Sequence, residues 1–346
     1  MARIGAGQLA GYVLEEIIAW MLLSSGYKLL TRASDDPDEL VAGPNGLRVR
    51  GRGAEHQADV LGELIYVPPF SLPLRMFVEA KCHKSGAIGL GEVRNAHGVI
   101  HDVNQNWASQ ARPSLPQQRY HYLYSMFSTS GFTRDAQEYA QAHQIVLVDL
   151  STSTFKDLSK AVRDLARRLV EAWGSDGFPT GWVRNELRRL LGTDGHATGE
   201  LASGGLTGEI LGGIVDEFAA YIVDDWKARM LLGFPAAPLI LPLLVTDMAA
   251  TLDALAQRPV MRVRLRHVGE TDTAGSWLIE SVDPRVQFRF SLPDSIERWM
   301  ADDPEKYRAR RATYKQLLSD ITIVYAARQD VQVYRLVYDA ADWRRG

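Results

Sequence analysis

Apolar positions recur at helical spacing almost from the start of the chain. Over residues 8–24, Leu9, Val13, Ile17, Trp20 and Ser24 share one face, and Leu14, Ile18 and Leu22 share another. A helix apolar on so many sides belongs in a core. Gly26 ends it, and Tyr27–Thr31 predicts a short strand. Residues 33–53 are polar and turn-rich, with Pro37, Pro44 and several glycines. Strands are predicted at Asp59–Val67 and Met76–Cys82, joined by a proline-rich connection at 68–73, and again at Arg119–Phe127 and Ile145–Leu150. Thr133–His143 has helical spacing.

The second half changes character. Helices are predicted at 154–173 and 180–191, and Gly195–Gly205 has the composition of a linker. A helix around 206–231 then leads into strands at 239–246, 260–268, 276–282, 285–291, 321–326 and 331–338, with helices near 247–256 and 294–318 between them. The chain has 346 residues, more than one domain usually needs. We therefore expect an α/β N-terminal domain over 1–155, a helical connector and linker over 156–205, and an α+β, strand-rich C-terminal domain over 206–346.

Composition narrows the class. Hydrophobic residues make up 46% and charged residues 23%, as in globular proteins that bury a core. The most apolar stretch, Phe234 to Val245, is short and carries three prolines, whereas a span needs roughly 18 apolar residues, so no membrane association is expected. No secretory signal pattern opens the chain. The single cysteine, Cys82, cannot form an internal disulfide, which favours a reducing, cytoplasmic location. Net charge is 39 − 42 = −3, so any polyanion must be held by local patches rather than a global field.

Several familiar patterns fail on inspection. Ile4-Gly5-Ala6-Gly7 has no strand before it and its third glycine, Gly11, comes one position late for a dinucleotide fingerprint. The eight histidines are expected to form no metal-ligand spacing on one helix, and Ser24-Ser25-Gly26 lacks the G-x-S-x-G elbow.

The informative stretch is Gly53-Ala54-Glu55-His56-Gln57-Ala58-Asp59-Val60, followed by Phe77-Val78-Glu79-Ala80-Lys81. Alternate residues of a strand share a face, so Glu79 and Lys81 project together. A hairpin through 68–73 brings Asp59 beside Glu79. Two carboxylates and a backbone carbonyl form an oxygen site suited to Mg2+. Such a metal lowers the pKa of water and offsets phosphate charge, while Lys81 places the attacking water. An acidic-x-Lys triplet by itself usually marks a solvated face; here it is joined by Asp59 upstream, an apolar strand, and Glu15 and Glu16 on an otherwise apolar helix. Acids near a helix start are also favoured by its dipole.

These residues resemble the PD-(D/E)xK nuclease superfamily, and its Mrr-like restriction endonuclease branch in particular. Gly11-Tyr12-Val13-Leu14-Glu15 followed by Gly26-Tyr27 is similar to the family's first helix, which makes Glu15 rather than Glu16 the family glutamate. Asp59, Glu79 and Lys81 match the metal-binding and lysine positions. Phe127-Ser128-Thr129-Ser130-Gly131-Phe132-Thr133-Arg134-Asp135-Ala136 and the strand Ile145–Asp149 resemble its later segments. Thr133 in that run either caps the following helix or, with its neighbours, meets phosphate. The resemblance covers about residues 8–150. It implies a restriction-endonuclease-like mixed sheet flanked by helices and a Mg2+-dependent endodeoxyribonuclease, with Mn2+ able to substitute, acting on DNA in restriction or antiphage defence. Asp59 and Glu79 would be the metal ligands, and Glu15, Asp59, Glu79 and Lys81 the catalytic set. Two other readings stay open: a nuclease gated by a nucleotide or protein activator through the C-terminal domain, and a binding protein on a retired nuclease scaffold.

One site of this kind cuts one strand, so a homodimer or higher oligomer is expected. Beyond residue 155 no family guides the reading. There Arg262, Arg264 and Arg266 alternate with Met261, Val263 and Leu265, and Arg285, Gln287 and Arg289 alternate with Val286, Phe288 and Phe290. If these segments share a sheet, five arginines lie on one face with no acidic residue in either segment. That suggests a phosphate-binding stripe, against the ordinary alternative of a solvated face that mixes both signs.

Overall fold

Helix α1 (Ala6–Ser24) is buried along most of its length, as its all-round apolarity predicts. The computed structural model describes residues 4–338 apart from 45, 68–69, 107–118, 175–176, 195–205, 237–238, 269–276, 283–285, 293–317 and 328–329. After α1 come β1 (Tyr27–Leu29), β2 (Leu40–Gly43), β3 (Gly46–Arg50), β4 (Glu55–Gln57), β5 (Val60–Leu64) and β6 (Leu74–Lys81). Helix α2 (Leu90–Asn104), β7 (His121–Ser128), α3 (Arg134–Ala142) and β8 (Val146–Asp149) follow.

The main sheet runs β1-β5-β6-β7-β8, with β5 antiparallel to β6 and β6 parallel to β7. On β6, Phe77 and Val78 point to opposite faces and both are buried, so helices cover the sheet on its two sides. The core includes Leu61, Phe77 and Tyr124 from strands, with Val93, Ala96, Ile100 and Val103 from α2. The other side receives α1, and Gly62 makes that approach possible. A Cβ there would lie 3.0 Å from Leu22 Cδ2 and 3.2 Å from Tyr27 Cβ.

Three readings of the pattern need correction. The turn-rich segment 33–53 contains β2 and β3, which with β4 form a small antiparallel sheet anchored by buried Leu40 and Val49. These strands are too short for alternation to stand out among Gly and Pro. Helix α2 was not predicted, because Gly91 and Gly98 lower its propensity and only Val93, Ala96, Ile100 and Val103 mark its buried stripe. It places His97 and His101 one turn apart, and His143 stacks on His97 with ring centroids 4.2 Å apart. So a histidine pair at ligand spacing does exist. No group of three or more His, Cys, Asp or Glu among the described residues is arranged to hold a metal.

The chain divides into two units, 1–148 with 160–219, and 149–159 with 220–346. Helices α4 (Lys156–Trp173), α5 (Thr180–Leu191) and α6 (Leu206–Tyr221) thus fall mostly in the first unit, where a connector was expected. Residues 195–205, read as a linker, lie outside the described residues. By length and composition α1 is apolar enough to cross a membrane, a property the sequence reading gave to no segment. Here it serves as the core helix of the first unit.

The expected helix 206–231 stops at Tyr221 and passes through a π-turn at Ile222–Trp226, after which the second unit continues with β9 (Met230–Pro235). Strands β10 (Leu241–Leu244), β11 (Val260–His267), β12 (Trp277–Ser281), β13 (Gln287–Phe290), β14 (Asp320–Ala327) and β15 (Asp330–Tyr338) follow, with α7 (Met248–Gln257) after β10. They close into a barrel in the order β10-β13-β12-β11-β15-β14-β9. Its interior is apolar, with Leu243, Ile279, Phe288, Ile323 and Leu336 fully buried. Gly233 is required where strands crowd, since a Cβ would come within 2.8 Å of Ile321 and Leu243. The helix expected at 294–318 falls almost entirely outside the described residues.

At the start of β6, Arg75 is 1% exposed and donates to Asp36 Oδ2 at 2.7 Å, Glu63 Oε2 at 2.8 Å and Tyr122 Oη at 2.9 Å. Its guanidinium lies 3.2 Å from the centre of the Tyr120 ring. Arg75→Ala should cost about 3–5 kcal/mol of stability, because it leaves two carboxylates without their buried partner. Urea denaturation checks this, and a loss under 1 kcal/mol would show that the pair is not a fold determinant.

Candidate active site

The site sits at the other end of β6. Val60 pairs with Val78 across the β5–β6 ladder, so Asp59, one residue earlier, lies alongside Glu79. The Asp59 amide donates to the Val78 carbonyl at 3.0 Å. Its carboxylate Oδ2 accepts the Ala80 amide at 2.8 Å, which fixes the side chain against β6. Glu79 and Lys81 share a face as strand geometry requires, and Lys81 Nζ lies 2.5 Å from Glu79 Oε1. The hairpin expectation for Asp59, Glu79 and Lys81 therefore holds in space.

Sequence reading missed Tyr124. It stands on β7 beside Phe77 in the parallel ladder, stacks on that ring at 5.1 Å, and donates its hydroxyl to Glu79 Oε2. Burial, reinforced by the negative charge of Glu79, drives its pKa up, so it remains a neutral donor. The alternating Tyr122-Leu123-Tyr124 on a strand was the available signal, but its parallel pairing with β6 was not.

Glu15 and Glu16 behave differently. Glu16 is 2% exposed and is held by Arg184 and Arg188 from α5. Glu15 lines a cleft of about 540 Å³ together with Asp59, Gln57, Arg32, Arg184 and Arg188. Burial raises the Glu15 pKa from 4.5 to about 7; Arg184 opposes the shift, while the charges of Asp59 and Glu16 add to it. The Asp59 pKa is raised too, first by burial and then by Glu79, against the Ala80 amide, Lys81 and Arg184. Like charges are thus concentrated where water is scarce, an arrangement that a cation relieves.

The donor set fits a hard divalent ion. Asp59 and Glu79 supply two carboxylates, and magnesium is commonly bound through one or two carboxylates with waters completing its shell. Asp59 and Glu79 would hold it; Tyr124 and the Ala80 amide would orient those ligands.

Residues 7–153 match the Mrr-type restriction endonuclease family, a PD-(D/E)xK-type catalytic domain. The match spans the whole segment that carries Glu15, Asp59, Glu79 and Lys81. The mixed sheet of the first unit agrees with its restriction-endonuclease-like fold. No curated protein matches the chain. One crystal structure, of a protein of unknown function, aligns with 17% identity over 53% of this chain and 99% of that one, at a TM-score of 0.29.

Other candidate residues of this restriction-type domain take structural roles. Thr133 caps α3 by accepting the Ala136 amide at 3.4 Å. Ser128 Oγ donates to the Gly131 carbonyl at 3.1 Å and Ser130 Oγ to that of Gly86 at 2.8 Å, so these hydroxyls brace the loop. In the barrel, Arg262, Arg264, Arg266 and Arg289 are exposed on the outer face, as the alternation predicted. Arg285 lies outside the described residues. Neither segment carries an acid, but β12 runs between β11 and β13 and brings one to that face. Its Glu280 stands opposite Arg264 and Gln287 and pairs with Arg266 at 3.1 Å. The face mixes signs like an ordinary solvated surface.

The raised Glu15 pKa has a definite sign in stability. A carboxyl whose folded pKa exceeds its unfolded value contributes fully below about 4.5, and that contribution is lost as pH rises through about 7. Without divalent metal, Glu15→Gln should match wild type near pH 4 and be more stable by about 1–3 kcal/mol at pH 8. Thermal unfolding in EDTA at both pH values decides; equal effects at the two would discard the assignment. Tyr124→Phe, which keeps the ring and loses the hydroxyl, should lower metal affinity about tenfold by calorimetry while the fold stays intact.

Proposed function

We propose that the first unit hydrolyses DNA phosphodiester bonds with a divalent metal, Mg2+ or Mn2+, as the nuclease of a restriction or antiphage defence system. The observation that carries this reading is the joining of Asp59, Glu79 and Lys81 on the β5–β6 ladder, in a segment that matches a restriction endonuclease family. When bound, the metal neutralises phosphate charge and makes water more acidic.

The chain's own groups supply the rest. Asp59 and Glu79 are held in fixed rotamers by the Ala80 amide and the Tyr124 hydroxyl, so little reorganisation is left for the reaction. Lys81, whose ammonium carries three donors on a flexible stem, places the attacking water beside Glu79. Water attacks phosphorus in line as the bond to the leaving oxygen breaks. Glu15 lines the cleft with Asp59 and would order water or metal there.

The test is nicking of a supercoiled plasmid with Mg2+ or EDTA. Wild type should nick only with the metal, and Asp59→Ala, Glu79→Ala and Lys81→Ala should each lose at least about a hundredfold in rate. Full activity in any of the three would remove that residue from the mechanism. A metal-independent wild type would remove the mechanism itself.

One active centre cuts one strand, so double-strand breaks call for two copies. We expect a dimer in solution or on DNA, seen by light scattering as a doubling of mass. A particle that stays monomeric with DNA and still makes double-strand breaks in a single encounter would contradict this.

A further inference from the structure

Helix α5 lies beyond the family-matched segment, yet its arginines reach the site. Arg184 Nη2 donates to Glu15 Oε2 at 2.6 Å, and its Nε donates to Glu16 Oε1 at 2.6 Å. Arg188 binds Glu16 from the other side, with Nε on Oε2 at 2.8 Å and Nη2 on Oε1 at 3.0 Å. The two glutamates therefore depend on α5 unequally. Glu16 keeps a two-pronged partner if Arg184 is removed. Among the described hydrogen bonds and ion pairs, Glu15 is held by Arg184.

Arg184 is itself confined. Its guanidinium centre lies 5.1 Å from the Tyr12 ring centre, and its planar fork spans two carboxylates on adjacent helix positions. The side chains of Arg184 and Glu15 are 21% and 15% exposed, so neither is a loose surface ion. Both line the cleft that Asp59 borders.

We propose that Arg184 is a positioning residue of the cleavage site: it holds Glu15 in one orientation at the cleft beside Asp59, which makes α5 part of the active centre of this chain. The proposal rests on the nuclease reading above. A carboxylate on a three-torsion side chain has several rotamers to choose from, and a misplacement of about 1 Å in a catalytic constellation can cost on the order of a hundredfold in rate. Arg184 removes that freedom without touching the reacting atoms.

A double-mutant cycle on the full chain tests this, using wild type, Arg184→Met, Glu15→Gln and the double variant in Mg2+-dependent plasmid nicking. Arg184→Met should lower kcat by about 10- to 100-fold with little change in KM. The double variant should be no slower than Glu15→Gln alone, because Arg184 acts through Glu15. Arg184→Lys should recover part of the rate, as a point charge can hold one carboxylate but not span two. Additive losses, an unchanged rate, or a faster Arg184→Met enzyme would each overturn the proposal, the last by marking Arg184 as a latch on Glu15. Should Arg184→Met fold poorly by thermal unfolding, Arg184→Lys, alone and combined with Glu15→Gln, carries the comparison.

A second readout separates this idea from the nuclease reading. In a crystal structure of Arg184→Met, Glu15 should lose its single orientation while Glu16 stays on Arg188. Glu15 unmoved and well ordered would refute positioning even in an active enzyme. A wild type that never cleaves DNA refutes the nuclease reading and leaves this structural test to decide the role of Arg184.

Discussion

Four carboxylates, Glu15, Glu16, Asp59 and Glu79, lie in the first unit where water reaches them poorly, and a folded chain tolerates this only if cations or amides are aimed at them. The unit is arranged to supply those groups. Lys81 comes from the strand that carries Glu79, the Ala80 amide from the backbone between them, and two arginines from a helix more than 160 residues away in sequence. The compensation is uneven. Glu16 is enclosed and doubly paired, so it is an anchor; Glu15 and Asp59 keep raised pKa values, so part of their charge remains unanswered. Residual negative charge fixed in place is what a divalent ion recognises.

Strand β6 links this centre to the stability of the unit. One end carries Arg75, buried among Asp36, Glu63 and Tyr122, and the other carries Glu79 and Lys81. The same parallel ladder with β7 runs from Leu74 against His121 to Lys81 against Ser128. It brings Tyr122 to Arg75 and Tyr124 to Glu79. Rigidity at the site is thus a property of a ladder fixed at both ends by charged groups with hydrogen-bonded partners. Catalytic geometry built on strands is held more closely than geometry built on loops.

Much of this was legible in the residues. The apolar helix, the strands around Asp59 and Glu79, and the alternation that sets Glu79 beside Lys81 are local patterns, and local patterns survive folding. What escaped were partners brought in from a distance. Tyr124 is an ordinary aromatic strand residue until β7 pairs parallel with β6. Arg184 and Arg188 look like the solvated face of an amphipathic helix until α5 meets α1. The arginines of β11 and β13 were read as one stripe because nothing in their own segments shows that β12 inserts Glu280 between them. Periodicity reports which face a residue takes, and only topology reports what stands opposite.

The edge of the family-matched segment is for that reason not the edge of the working unit. A segment ending at residue 153 contains Glu15, Asp59, Glu79 and Lys81, the whole set that the family resemblance assigns. It would also contain Glu16 without either of its guanidiniums. Breaking a buried ion pair by removing one side costs about 3–5 kcal/mol, a large share of the stability of an ordinary domain. Solvent can reach such a glutamate only if α1 is uncovered, and α1 is also the helix that places Glu15. Residues 160–219, which carry both guanidiniums, group with 1–148. Helix α5, beyond the matched segment, thus belongs to the architecture of the candidate site, and the chemistry proposed for the first unit depends on residues that its family resemblance does not reach.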